Sequence, residues 1–253
     1  MTGQPRAIRV EALVLHHKDF GEADRMVTLF SREQGKLRTI AKGVRKPKSR
    51  KAGHLEPFTR AALQLARGRG LWIITQAETV EAYLEIGQDL LLTGYASCVI
   101  EVLDRFTYEE GQNPQVYTLL VQTLGRLASG DEPFMAVRYY EIRLLELLGF
   151  RPQLFNCVRC SSDIRPQNQF FSAEMGGVVC PDCSQGISPL RAVSLEGLRF
   201  LRHFQRSSYE QAVRASIPAP VQAELEGLLQ YYMTYLLERN LNSPSFLRHV
   251  RDG

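Results

Sequence analysis

No lysine occurs after Lys51 in this chain of 253 residues. No apolar run approaches the roughly 18 residues that a membrane-spanning helix needs, which excludes a transmembrane helix. Met1 to Arg9 has no apolar signal core, which argues against secretion. The phosphate-gripping Gly-x-x-x-x-Gly-Lys-[Ser/Thr] loop is missing, and an ATP-driven motor with it. The Gly-x-Ser-x-Gly elbow and the His-Glu-x-x-His helix are missing too. The five histidines, at 16, 17, 54, 203 and 249, show no metal or triad spacing. His16 and His17 are strand neighbours that point to opposite faces. Asp19, Glu22 and Asp24 have the composition of a nuclease cluster, but beside Gly21 and Arg25 they read as turn-forming and salt-bridging groups. Nothing in this inventory predicts an enzyme or a small-molecule substrate.

What is present is 44% hydrophobic and 23% charged, ordinary for a globular protein and enough for a sizeable core. The net charge of +4 is mild until it is located. Residues 32 to 70 hold twelve Lys or Arg against two acids, a local balance of +10, whereas the remainder stands at −6. A basic N-terminal part joined to a mildly acidic body points to a polyanionic partner for one part only.

The hydrophobic pattern divides the chain. Up to about Tyr83 it has period two: Ile8, Val10, Ala12 and Val14 alternate, Met26 to Phe30 is β-friendly, and Leu37, Thr39 and Ala41 oppose Arg38, Ile40 and Lys42. Ala61 to Ala66 and Leu71 to Val80 form a pair joined by Arg67-Gly68-Arg69-Gly70. Five short strands fit an OB-fold barrel, although an SH3-like barrel has the same number. From Leu84 to Gly149 the period is helical, with Pro114 and Pro133 at helix starts and Gly149 as a stop. Leu225, Leu228, Leu229, Tyr232 and Leu236 mark a last long helix ending near Asn240. The expected fold is α+β: an N-terminal five-stranded OB-fold barrel (1–83), a helical domain (84–150), an inserted four-cysteine zinc module (151–190), and C-terminal helices packing with the helical domain (191–253).

Cysteine is sparse, five residues in all, and four of them pair as Cys157-x-x-Cys160 and Cys180-x-x-Cys183. In a non-secreted chain such knuckles read as a metal site rather than disulfides. Two knuckles complete a tetrahedral four-sulfur shell, the preference of structural zinc, with no open position for water or substrate. The spacer between them suits a β-hairpin, with a turn at Met175-Gly176-Gly177-Val178. An iron–sulfur cluster also takes four thiolates, but the paired spacing favours one zinc ion. Cys98 falls on the apolar face of a helix and reads as core.

The densest feature is the run Ala41 to Gly53, where Arg45, Lys46, Lys48, Arg50 and Lys51 fall within seven positions around Pro47. Pro47 prevents a regular helix or central strand, so these charges are expected on an exposed, mobile loop that follows a phosphate backbone without reading sequence. Lys36, Arg38 and Lys42 extend the basic surface along the preceding strand. Phe20, Phe30, Phe58 and Trp72 have the chemistry of base-stacking platforms, although each residue type is more often core.

The order Gly21-Glu22-Ala23-Asp24-Arg25, Val27-Thr28-Leu29-Phe30, Gly35-Lys36 and Ala41 to Arg50 resembles the RecO family of bacterial DNA-repair mediators. The helical body, double Cys-x-x-Cys insertion and C-terminal helices that follow are similar as well. The resemblance implies an OB domain that binds single- and double-stranded DNA and anneals complementary strands. It implies RecR and the C-terminal tail of single-stranded-DNA-binding protein as partners, leading to RecA loading. By position it makes Lys36, Arg38, Lys42, Arg45, Lys46, Lys48 and Arg50 the DNA contacts, and Lys51 of the same basic run is expected to join them. A cytoplasmic, nucleoid-associated protein with no membrane partner follows. A complete cysteine set is not general in that family, but all four are here. The rival readings are an RNA-binding OB-fold and zinc-ribbon module, which structured-RNA competition discriminates, and a nuclease, which metal-dependent turnover of DNA discriminates.

Overall fold

The computed structural model describes residues 6–109, 111–238 and 240–252. Met1–Pro5, part of the stretch read above for a signal core, lie outside the described residues, as do Glu110, Arg239 and Gly253. The chain forms two compact units, 1–130 and 131–253.

In the first unit, β1 (Ala7–Phe20), β2 (Asp24–Ser31), β3 (Gly35–Ala41), β4 (Arg60–Arg67) and β5 (Trp72–Glu81) close into a barrel in the order β1-β2-β3-β5-β4. β4 returns to pair with β1, and β3 runs parallel to β5 through Thr39–Trp72 and Ile40–Ile73. That Greek-key closure is the OB barrel and not the SH3-like one. Alternate residues of the strands fill it: Val10, Ala12 and Val14 meet Val27, Leu29, Leu37, Leu63, Leu65 and Ile74. Gly35 supplies the β2–β3 turn at φ 66°, and a Cβ there would run into the carbonyl of Gly111.

Leu13 and Phe30 are register partners on the outer surface of the barrel, yet both are fully buried. The helical layer of the same unit lies over them: α1 (Leu84–Gln88), α2 (Leu90–Phe106) and α3 (Pro114–Ala128). Tyr117 of α3 donates its hydroxyl to Glu11 of β1 at 3.0 Å, and Lys36 of β3 reaches Asp104 of α2. Asp89 caps α2 by accepting from the amides of Leu91 and Leu92, and Asn113 caps α3 with Pro114 in the first turn.

In the second unit, α4 (Pro133–Leu147), α5 (Leu195–Arg206) and α7 (Ala219–Leu237) pack together, with the short α6 (Tyr209–Ala212) against α4 and α5. α8 (Ser243–Asp252) closes the chain. α4 is buried from Phe134 to Ile142 without a break, so it is an interior helix rather than a one-faced one. Between α4 and α5 lie the four cysteines and a three-stranded sheet, ordered β7 (Gly177–Val179), β6 (Gln169–Ser172), β8 (Arg191–Val193). The architecture is therefore α+β, an OB barrel followed by a helical body that carries the cysteine cluster. Among the described residues no helix is long and apolar enough to cross a membrane.

Candidate nucleic-acid interface and metal centre

The basic segment connects β3 to β4 and is built rather than loose. Val44 and Leu55 drop into the barrel core and are all but inaccessible. The Gly43 amide, at φ 64°, donates to Asp24 Oδ1 at 2.7 Å, and the Arg45 amide donates to the Ala23 carbonyl at 3.0 Å. Successive turns follow, with Lys46 N donating to Gly43 O and Ser49 N to Lys46 O. The mobile loop expected from Pro47 is thus pinned by apolar residues and amide bonds that its charge pattern concealed.

The eight basic residues singled out from sequence fall into three groups. Lys42, Lys46, Lys48 and Arg50 are exposed and have no ion-pair partner among the described residues. Arg45 and Arg38 are exposed but lean on acids: Arg45 Nε lies 3.3 Å from Asp19, and Arg38 Nε lies 3.7 Å from Glu109. Lys36 and Lys51 are engaged in the fold. Lys36 Nζ sits 2.6 Å from the Asp104 carboxylate and donates to the carbonyls of Asp104 and Thr107. Lys51 Nζ donates to the carbonyls of Ile74 and Lys42, and burial pulls its ammonium below the usual lysine range against the opposing pull of Asp24.

The neighbouring acids are structural. Asp19 also binds Arg25, and Glu56 joins His17 at 3.2 Å to Arg25 at 2.9 Å. Burial alone would raise the Asp104 carboxyl, but hydrogen bonds from His16 and Lys36 hold it at about 2. Of the aromatic candidates, Phe30 is wholly interior and Phe58 is half-buried. Trp72 packs on the barrel core beneath the Arg67 guanidinium, 5.9 Å from its ring. Phe20 is 48% exposed. Tyr108, which no strand or motif marks, is 86% exposed beside the barrel.

The four cysteines Cys157, Cys160, Cys180 and Cys183 converge, with every Sγ within 4.8 Å of the others. Cys160 and Cys180 stand 3.9 Å apart, close to the roughly 3.8 Å edge of a tetrahedron with zinc–sulfur bonds near 2.3 Å. The Ser161 amide returns to the Cys157 carbonyl with Ser161 at φ 62°, and the Cys183 amide returns to Cys180. Arg159 straps the first knuckle to the second by donating to the carbonyls of Cys183 and Gln185. The Cys180 amide donates to Cys157 Sγ at 3.4 Å. Hydrogen bonds from the Ser162 side chain and amide bring the exposed Cys160 thiol down to about 6, while Cys180 and Cys160 push Cys183 up to about 12. Four thiolates at this spacing repel one another, and a divalent cation is what lets them ionise together. β6 and β7 form a hairpin between the knuckles, turning at 173–176, and Val158 N donates to Val178 O. Cys98 lies buried in α2.

Two family models match the chain in succession. One, described as recombination protein O N terminal, covers residues 6–83, and the other, described as recombination protein O C terminal, covers residues 87–245. Similar proteins include the DNA repair protein RecO of Roseiflexus sp. (strain RS-1), 38% identical over 247 residues, with 97% of this chain and 87% of that one aligned. That of Pelotomaculum thermopropionicum is 35% identical over 239 residues, aligning 94% and 93% of the two chains. That of Dehalococcoides mccartyi (strain 195) is 32% identical over 236 residues, aligning 93% of each. With the barrel, the helical body and the cysteine cluster in this order, the chain belongs to the RecO family of DNA-repair and recombination proteins.

Proposed function

We propose that this chain is a recombination mediator with no catalytic chemistry of its own. It binds single- and double-stranded DNA and anneals complementary strands. With RecR it assists RecA loading on DNA coated by single-stranded-DNA-binding protein, whose C-terminal tail it contacts. The observation that carries this reading is the pinned β3–β4 segment, which holds Lys42, Lys46, Lys48 and Arg50 in solvent. Phosphates of two strands neutralised on one such surface repel each other less, so complementary bases can pair. Arg38 and Arg45 join when phosphate displaces Glu109 and Asp19, while Lys36 and Lys51 shape the surface from within. Neutralising about four to six single-strand phosphates gives a slope of log K against log salt of about −2.8 to −4.2.

Cys157, Cys160, Cys180 and Cys183 hold one structural zinc ion, which fixes the module between α4 and α5 and takes no part in strand pairing. The work is done in the cytoplasm, at the nucleoid, with DNA contact assigned to residues 1–83.

The test is annealing of complementary oligonucleotides precoated with single-stranded-DNA-binding protein, by the wild type and by a variant with Lys42, Lys46, Lys48 and Arg50 all changed to Ala. The wild type is expected to anneal and the folded variant to fall at least ten-fold in rate, because every phosphate left without its cation weakens binding. A folded, zinc-loaded wild type that does not anneal would overturn the mediator reading and bring the RNA-binding alternative forward.

A further inference from the structure

The cysteine cluster offers its four sulfurs to solvent unequally. Cys157 is 1% exposed, and its Sγ accepts from the Cys180 amide at 3.4 Å. Cys180 and Cys183 are half-buried. Cys160 is exposed, within a run that is exposed from Arg159 to Asp163. A four-thiolate zinc shell has no open position on the ion, so a small oxidant meets sulfur before metal. Zinc keeps its oxidation state, and the thiolate is the nucleophile. Oxidation therefore begins at the sulfur that reaches water, which is that of Cys160.

The partner for that sulfur stands on the other knuckle. Cys160 and Cys180 have their Sγ atoms 3.9 Å apart, so bonding asks them to close by about 2 Å. The knuckles are also tied by hydrogen bonds that do not run through the metal. The Val158 amide donates to the Val178 carbonyl, and Arg159 grips the carbonyls of Cys183 and Gln185. These keep the knuckles facing while the second sulfur reacts, which is all the exchange requires. A bond within a knuckle, Cys157 to Cys160, needs the sulfur that the fold has closed off and leaves the two knuckles untied.

We propose that Cys160 and Cys180 form a peroxide-oxidised disulfide site, in which a covalent tie takes the place of the metal. The inference rests on the zinc reading above. The Cys160 thiolate attacks the O–O bond of hydrogen peroxide, becoming a sulfenic acid and releasing hydroxide. The Cys180 thiolate then attacks the sulfenic sulfur, forming the S–S bond and releasing a second hydroxide. The electron pair lost by the two sulfurs reduces the peroxide. Cys157 and Cys183 are too few to complete a tetrahedral shell, and the ion leaves. A dithiol reverses the change by exchange through a mixed disulfide. The oxidised chain thus gives up its metal and keeps its knuckles joined.

The experiment treats the zinc-loaded full chain with hydrogen peroxide. Zinc release is followed by absorbance of a chromogenic chelator, disulfide position by peptide mass mapping, and β6 and β7 by amide exchange. Zinc is expected to leave in step with a Cys160–Cys180 bond, with the buried Cys98 still reduced. Amide protection in β6 and β7 is expected to persist, whereas chelation of the same zinc under reducing conditions abolishes it. Cys160→His gives a shell of three cysteines and one histidine, which zinc also takes, and is expected to slow peroxide-driven release about ten-fold. Zinc that stays bound while Met175, 39% exposed, is oxidised would overturn the site. So would a first disulfide formed within either knuckle, and the wild type alone decides this if the histidine variant binds no metal. Loss of β6 and β7 protection as the disulfide forms would overturn the replacement of ion by covalent tie. A reduced chain isolated without zinc would take down the metal reading and this exchange together.

Discussion

The two units hold charge in opposite ways. In the first, cations stand in water over an apolar barrel: Val44 and Leu55 anchor the segment from below, and Lys42, Lys46, Lys48 and Arg50 face out. In the second, charge is taken inside. Arg138 and Glu141 of α4 pair at 3.0 Å while only 4% and 3% exposed, and four thiols, of which Cys157 is buried and Cys160 exposed, gather in one cluster. Asp104 and Glu141 make the contrast measurable, since each carboxylate has a cation beside it. Asp104 sits at a rim that water reaches, and hydrogen bonds from two side chains hold it at about 2. Glu141 is fully enclosed, and burial pushes it up to about 7 in spite of Arg138, with Glu226 adding to the rise. A pair at a wet rim keeps its charge, whereas the same pairing in a dry interior does not recover the cost of desolvation.

That contrast breaks most visibly at the cysteines. Structural four-thiolate sites contribute on the order of 10 kcal/mol when metal binds. Chelation of zinc, or Cys157→Ser, is therefore expected to unfold the region around 151–190. Hydrogen exchange followed residue by residue should show amide protection vanish in β6 and β7 and persist in β1 to β5. Barrel strands that lose protection in step with β6 would show that the first unit does not stand on its own core.

The two carboxylates sharpen the contrast at a smaller scale, because their pH dependences have opposite sign. Glu141 has a folded value above its ordinary 4.5, so the folded state holds a proton that the unfolded state gives up. Stability of the second unit is full below about pH 4.5 and falls by roughly 3 kcal/mol as pH rises through 7. Asp104 has a folded value below its ordinary 3.8, so its contribution is present above about pH 4. It is lost, by roughly 2 kcal/mol, as pH falls toward 2. Between pH 5 and 8 the exchange-derived stability of α4 should therefore decline, and that from the Asp104 pair should stay level. Glu141→Gln should flatten the first trend, and Asp104→Asn should remove the acid-side loss. A second unit as stable at pH 8 as at pH 5 would contradict the desolvation argument.

Local pattern was enough for much of this. Alternation of Leu37, Thr39 and Ala41 marks an inward strand face, Pro114 and Pro133 do open helices, and the knuckle spacing brings four sulfurs together. What stayed hidden depends on residues far apart in the chain. Lys36 looks like a free surface cation until Asp104 folds over it 68 residues later. Val44 and Leu55 look like interruptions in a charged run, yet they are its anchors. The bulge of β1 between Val14 and His16 shifts the register against β2, which no two-residue alternation announces.

The least effect on stability, and the finest separation, belongs to single lysines. Lys46→Ala and Lys48→Ala remove solvent-exposed cations, so folding stability should stay within about 0.5 kcal/mol. Each substitution frees one phosphate of its cation and should lower the magnitude of the salt slope for single-stranded DNA by about 0.7. Lys36→Ala should do the reverse. It strips Asp104 of a hydrogen-bonded partner and leaves the carbonyls of Asp104 and Thr107 without their donor, at a cost of about 1–3 kcal/mol in urea unfolding. Its salt slope should match that of the wild type, because an ammonium already neutralised by a carboxylate releases no counterion when DNA arrives. Paired measurement of slope and unfolding midpoint thus sorts the basic residues into those that bind and those that build. If Lys36→Ala lowers the slope as much as Lys46→Ala does, then DNA displaces Asp104 from Lys36, and the rim pair is part of the interface rather than its foundation.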